Sequence, residues 1–211
     1  MKLQEAYEIL REENPFLKGV NPSSLLWKKA LLDFFKSENL TVRLKKALIL
    51  VSANSDFDEV IRAYFDFLKK EESDEIRKFM VECLAENTNE LVVDLQFPLL
   101  GIRERVFDRY VRQIASQNII YAIKEYQKKR PLRAILCINK LRTSCLNDEN
   151  TFIRMNSAII LRNVGEKKVI SDLEKRVEIE KKLLNENPSD IGIPYVIREI
   201  ERTILSLKER T

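Results

Sequence analysis

The sequence predicts an all-α protein built from paired antiparallel helices, and three observations carry that reading. Leu, Ile, Lys, Glu and Arg dominate the 211 residues, while only four glycines and six prolines occur, so strands would lack their turns. Apolar residues recur at three- and four-residue spacing through almost the whole chain. The breaks between such stretches are short and carry helix-start or helix-stop residues.

The elements follow in order. Leu3, Tyr7 and Leu10 mark a first helix ending near Asn14-Pro15. Asn21-Pro22-Ser23-Ser24 starts a second, with Asn or Ser as cap and Pro in the first turn. It carries Leu25, Leu26, Trp27, Ala30, Leu31, Phe34 and Phe35, an aromatic face suited to core or to sealing one end of a stack. Thr41 caps the next helix, residues 42–53, and Asn54 is expected to close it in the left-handed conformation. Asp56 opens a partner with Val60, Ile61, Tyr64, Phe65 and Leu68. Ser73 opens another, and Thr88 a short one ending before Pro98. A helix over 99–116, with Ile102, Val106, Tyr110 and Ile114 as its stripe, is expected to be separate from one over 118–129. A helix from Leu132 to about Ser144 follows, after the Arg130-Pro131 break, and Phe107 and Tyr110 read as core-facing. Residues 152–177 form the clearest hairpin, turning at Gly165. Pro188-Ser189-Asp190 breaks the chain before a final amphipathic helix from Pro194 to Lys208. The total is about twelve helices and no strand.

Charge is uneven. Residues 1–97 hold 14 Lys/Arg against 18 Asp/Glu, residues 98–147 hold 11 against 3, and residues 148–211 hold 12 of each. Within the basic block, Arg105, Arg109 and Arg112 share one helical stripe, and Lys124, Lys128, Lys129, Arg130 and Arg133 follow. On two adjacent helices they would present a positive ridge, able to meet an acidic protein surface or nucleic-acid phosphates. Few exposed aromatics accompany them to stack bases, which favours a protein partner.

A period accompanies the helices. An aliphatic-Arg pair opens stretches at Val42-Arg43, Ile76-Arg77, Ile153-Arg154 and Ile197-Arg198, with small and apolar residues behind it. Val42 to Ile76 is 34 residues and Val42 to Ile153 is 111, about three periods of 37. Ile102-Arg103 and Leu132-Arg133 keep the pair but lose the pattern behind it. Repeated helix pairs stack to bury faces that none can bury alone, which predicts a curved α-solenoid of stacked antiparallel pairs. Residues 1–211 then form a single domain, with 1–38 as N-terminal cap and 189–211 as C-terminal cap helix. Arg43, Arg77 and Arg154 are expected to bond neighbouring loops or carboxylates rather than a ligand.

These residues resemble HEAT-type repeats, particularly the short bacterial and archaeal HEAT-like kind first noted in phycobilin lyase subunits. Their helix pair reads Val-Arg, then Ala, Ala, Leu and Gly, then a second apolar helix. Ser157 and Ala158 stand at the close-packing positions and Gly165 at the turn, while Arg162 stands where the family often has Gly. The likeness covers about two-thirds of the chain and fails over 98–147. It implies a right-handed α-solenoid of about five to six stacked antiparallel helix pairs, of the HEAT-like or ARM type. Some small HEAT-like solenoids are DNA glycosylases for alkylated bases, using aromatic side chains and an Asp, but no catalytic residue carries over, and Trp27 reads as core.

Catalytic, metal and cofactor chemistry find no support. There is no histidine. Gly19, Gly101, Gly165 and Gly192 stand alone, so no phosphate loop exists. Cys83, Cys137 and Cys145 have no zinc spacing and read as buried free thiols in a reducing compartment. The carboxylate pairs Glu12-Glu13, Glu71-Glu72 and Asp148-Glu149 fall at helix ends. With no signal peptide and no membrane-spanning run, the expectation is a cytoplasmic, non-enzymatic protein-interaction scaffold or adaptor. The alternative is a nucleic-acid-binding solenoid related by fold to those glycosylases. The concave or ridge surface is expected on the second helix of each pair, around 58–70, 124–130 and 168–176.

Overall fold

The computed structural model describes every residue except 38, 86, 103–107 and 211. The described residues contain eleven α-helices and no strand, with 79% of the chain helical. The helices are α1 (Leu3–Glu13), α2 (Leu25–Phe35), α3 (Val42–Ala53), α4 (Asp58–Lys70), α5 (Asp74–Cys83) and α6 (Glu90–Gln96). They continue with α7 (Asp108–Lys129), α8 (Pro131–Asn147), α9 (Thr151–Val164), α10 (Ile170–Glu186) and α11 (Ile193–Lys208). By contact density the chain forms two compact units, Met1–Ala85 with Glu90–Leu95, and Glu86–Asn89 with Gln96–Thr211.

In the N-terminal unit, α1 packs on α3 and α3 on α5, while α2 packs on α4. Odd helices therefore meet odd and even meet even, with α3 also touching α2 and α4 between the rows. Ser24, Thr41 and Ser73 cap α2, α3 and α5 by accepting backbone N–H groups three residues on. Trp27 is fully buried, donates through Nε1 to the Val20 carbonyl at 3.0 Å, and meets the edge of Tyr7. Asn54 departs from expectation: its φ is −103°, and α3 ends with its side-chain amide donating to the Leu50 carbonyl. That side-chain bond satisfies a terminal carbonyl without the left-handed turn.

Glu71, at the end of α4, is nearly buried and accepts from Lys45 Nζ at 2.9 Å and from the Ser73 amide. Burial pushes its carboxyl up, but those two bonds and the Lys45 charge outweigh it and hold it below the ordinary 4.5.

The C-terminal unit shows the same alternation. α7 packs on α9 and α9 on α11, while α8 touches α10, and α7·α8, α8·α9 and α10·α11 join the rows. Small groups meet where α9 and α11 approach: Ser157 and Ala158 are fully buried, and the Thr203 hydroxyl donates to the Ala158 carbonyl. The expected break after Ser116 is absent, and one helix of 22 residues runs through it. Ser and Asn each lower helix propensity by only about half a kcal/mol. Val111, Ala115, Ile119, Ala122, Ile123 and Tyr126 bury a continuous face that offsets this loss. This is also the real stripe. Tyr110 and Ile114 lie at its half-buried margin, Ile102 precedes the helix, and Val106 and Phe107 lie outside the described residues.

Arg154 is the anchor of this unit. Its side chain is 6% exposed and that of Glu180 is 0% exposed, and they pair at 2.7 Å. Arg154 also donates to the carbonyls of Asp148 and Glu149, while Arg176 bonds Glu180 and the Leu146 carbonyl. Arg210 closes the C-terminus of α9 by bonding the carbonyls of Arg162 and Gly165. Gly165 is required by space rather than by φ, which is −73°: a Cβ there would lie 2.6 Å from the Leu161 carbonyl oxygen.

Two outcomes follow. Glu180→Ala leaves the buried Arg154 and the partly buried Arg176 without their carboxylate and should cost about 3–5 kcal/mol in urea unfolding at neutral pH. Glu71→Gln should cost about 1–2 kcal/mol at pH 7. Because the Glu71 pKa is depressed on folding, its contribution is complete above 4.5 and disappears as pH falls through the folded value. The stability difference between wild type and Glu71→Gln should therefore shrink as pH drops below 4.5.

Candidate functional site

A cavity of about 620 Å³ is lined by residues of α7, α9 and α11. Each helix contributes one face. Arg109, Arg112, Ser116 and Ile120 come from α7 at spacings of three and four, as do Phe152, Met155, Asn156 and Ile159 from α9. Tyr195, Arg198 and Glu199 come from α11, with Ile191 just before it. Phe152, Met155 and Ile159 are half-buried, which gives the cavity an apolar floor. The Asn156 amide is tied to the carbonyls of Leu100 and Phe152, and Ser116 to that of Arg112, so these polar groups are already satisfied.

The walls are cationic. Arg112 lies over the Phe152 ring at 4.3 Å and donates to the Ile102 carbonyl. Burial pulls its guanidinium pKa below the ordinary value; Asp108 opposes this and the neighbouring charge of Arg109 reinforces it. Arg198 lies over Tyr195 at 4.9 Å and comes to 3.5 Å of Glu199. Arg109 is exposed and makes no ion pair with any described residue. Glu199, the one carboxylate among the described lining residues, is buried and already held by Arg162 at 3.0 Å and Arg202 at 2.9 Å. Arg162, the departure from the HEAT-like pattern, thus neutralises a carboxylate on α11. The cavity keeps a positive excess over an apolar floor, an arrangement that attracts a negatively charged group with an apolar body.

The structure divides the residues that the sequence grouped. Arg109 and Arg112 line the cavity. Lys124 is exposed on the same helix, at least twelve residues and about 18 Å further along its axis. Lys128 and Lys129 are exposed and both pair with Glu125, at 2.7 and 3.0 Å, which holds the Glu125 carboxyl below its usual range. Arg130 lies between α7 and α8, and Arg133 is half-buried on α8. Arg105 lies outside the described residues. The α9 and α11 contributions escaped sequence reasoning, because Phe152-Met155-Ile159 has the spacing of an ordinary core stripe. The available signal was Ile197-Arg198, which repeats the aliphatic-Arg pair but whose arginine lies exposed over Tyr195 beside Glu199, unlike the buried Arg154.

Compared with known protein families, with curated proteins and with solved structures, the chain matches none. Among the described residues no cluster of His, Cys, Asp and Glu could hold a metal ion, and no helix is long and apolar enough to cross a membrane. Cys137 and Cys145 are buried and Cys83 is half-buried. Burial pushes the thiols of Cys83 and Cys145 up to about 12, so neither is a nucleophile at neutral pH. Iodoacetamide at about pH 8 should label Cys145 only on the timescale of unfolding and at least about a hundredfold faster in urea, as read by mass spectrometry.

Proposed function

We propose that this chain is a non-enzymatic protein-interaction scaffold of HEAT-like, α-solenoid type, working in the cytoplasm, whose partner presents an acidic surface to the α7–α9–α11 face. One observation carries the reading: three arginines line an open apolar-floored cavity in which the only carboxylate among the described residues is already neutralised. The alternation of odd and even helices within each unit supports the solenoid, since stacked pairs place first helices on first helices and second on second. The family likeness at Arg154 is supported by its use, for this arginine bonds the preceding loop and a carboxylate on the next helix.

The nucleic-acid reading needs a row of cations that tracks phosphates. Here Lys128 and Lys129 are turned to Glu125, and the ring faces of Phe152 and Tyr195 each carry a guanidinium. Trp27, the residue through which a glycosylase likeness would act, is fully buried. These features favour a protein partner.

The test is affinity capture from native lysate with the full chain as bait. A defined partner should be retained at about 50 mM salt and lost at about 500 mM salt. The double variant Arg109→Glu/Arg198→Glu should retain none of it. Unchanged capture by that variant would remove the face from the function. Binding of duplex DNA or single-stranded RNA in an electrophoretic titration, abolished by the same variant, would move the assignment to nucleic acid.

A further inference from the structure

The cavity is specific about more than charge. Arg112 is committed to the wall, with its ring contact to Phe152 and its bond to the Ile102 carbonyl. Arg109, with no ion pair among the described residues, and Arg198, half-exposed beside Glu199, stand on different helices of the cavity, α7 and α11. Between them α9 offers Phe152, Met155 and Ile159, all half-buried and therefore still partly wet. A volume of about 620 Å³ lies within the range of about 300–1,000 Å³ that accepts a compact ligand. It can take a large side chain with its flanking backbone, but not a folded surface.

Two rim residues indicate that the occupant extends beyond the cavity. Ile191 is 83% exposed and Tyr195 is 51% exposed, both on the lining. A small molecule seated on the floor would leave Ile191 in water, whereas a peptide crossing the mouth would cover it. A uniform polyanion would place charge against Met155 and Ile159 and desolvate it without compensation.

Resting on the scaffold reading, we infer that the cavity binds a short acidic peptide segment of a partner protein in which one large apolar side chain is flanked by carboxylates. The apolar side chain fills the floor formed by Phe152, Met155 and Ile159. The carboxylates on either side meet Arg109 and Arg198, and aromatic or aliphatic anchors between charged flanks are the usual energetic centre of such contacts.

Fluorescence anisotropy with the full chain and dye-labelled peptides of about eight residues tests this. The reference peptide carries Phe between paired Asp and Glu residues. Its analogues replace Phe with Ser, or every acidic residue with Lys. A single-stranded DNA oligomer of equal negative charge completes the set. The reference peptide should bind, the Ser analogue about tenfold more weakly, and the Lys analogue and the DNA not measurably. Arg109→Glu and Arg198→Glu should each weaken the reference by at least about tenfold. Leu136→Ser, on an exposed part of α8 away from the cavity lining, should leave it unchanged. Thermal melts check that the variants fold, and the Phe-to-Ser comparison needs no protein variant at all.

Equal binding of the Ser analogue or of DNA would show a site that reads charge alone and overturn the inference. So would sedimentation showing a dimer of this chain that Arg109→Glu dissolves, since the occupant would then be a second copy. If no peptide binds while lysate capture still depends on Arg109 and Arg198, the peptide chemistry is wrong and the scaffold reading stands. If capture is also independent of these arginines, the scaffold reading through this face fails with it.

Discussion

The C-terminal unit depends on the buried network of Arg154, Glu180 and Arg176. Glu180 comes from the middle of α10, is fully buried, and would be costly to bring out of water alone. Two guanidiniums neutralise it, and their remaining donors take the carbonyls of Leu146, Asp148 and Glu149. Those carbonyls belong to the end of α8 and the connection to α9, which no helical partner would otherwise satisfy. One carboxylate therefore holds three successive helices in register. Such a network is weak evidence for stability against an apolar substitute, but it admits few alternative arrangements.

That register positions the cavity. Arg154 points inward from α9, while Phe152, Met155, Asn156 and Ile159 on the same helix turn toward α7 and α11. Close approach of α9 and α11, through Ser157, Ala158 and the Thr203 hydroxyl, sets how far Tyr195 and Arg198 stand from Phe152. Gly101 contributes from the other side: a Cβ there would lie 2.6 Å from Ile153 Cγ1, so the turn before α7 lies directly against α9. The same substitutions that loosen packing would thus also change the face offered to a partner.

Charge is managed differently in the two kinds of place. Three buried carboxylates each hold a cation: Glu71 holds Lys45, Glu180 holds Arg154 and Glu199 holds Arg162. Around the cavity Arg109 has no carboxylate partner among the described residues, and Arg112 and Arg198 lie against rings. Guanidiniums over aromatic faces retain donors for an incoming acid. The separation of structural from available arginines distinguishes scaffold from surface here.

The sequence by itself determined helix content, most helix starts, the buried state of Trp27 and the structural use of Arg154. Each follows from local rules: capping hydroxyls at Ser24, Thr41 and Ser73, apolar spacing, and a charged group just inside a helix start. It also found Arg109 and Arg112, through their shared stripe. Tertiary structure decided the rest. The break expected at Ser116 vanished because packing along one face outweighs two weak helix formers. The ridge expected from Arg105 to Arg133 divided among its described members, because distance along one long helix separates them, while Glu125 takes Lys128 and Lys129. Phe152, Met155, Tyr195 and Arg198 joined the site because non-adjacent helices pack side by side. Periodicity shows that a residue lies on a face, but the neighbouring helix decides whether that face is closed or left open.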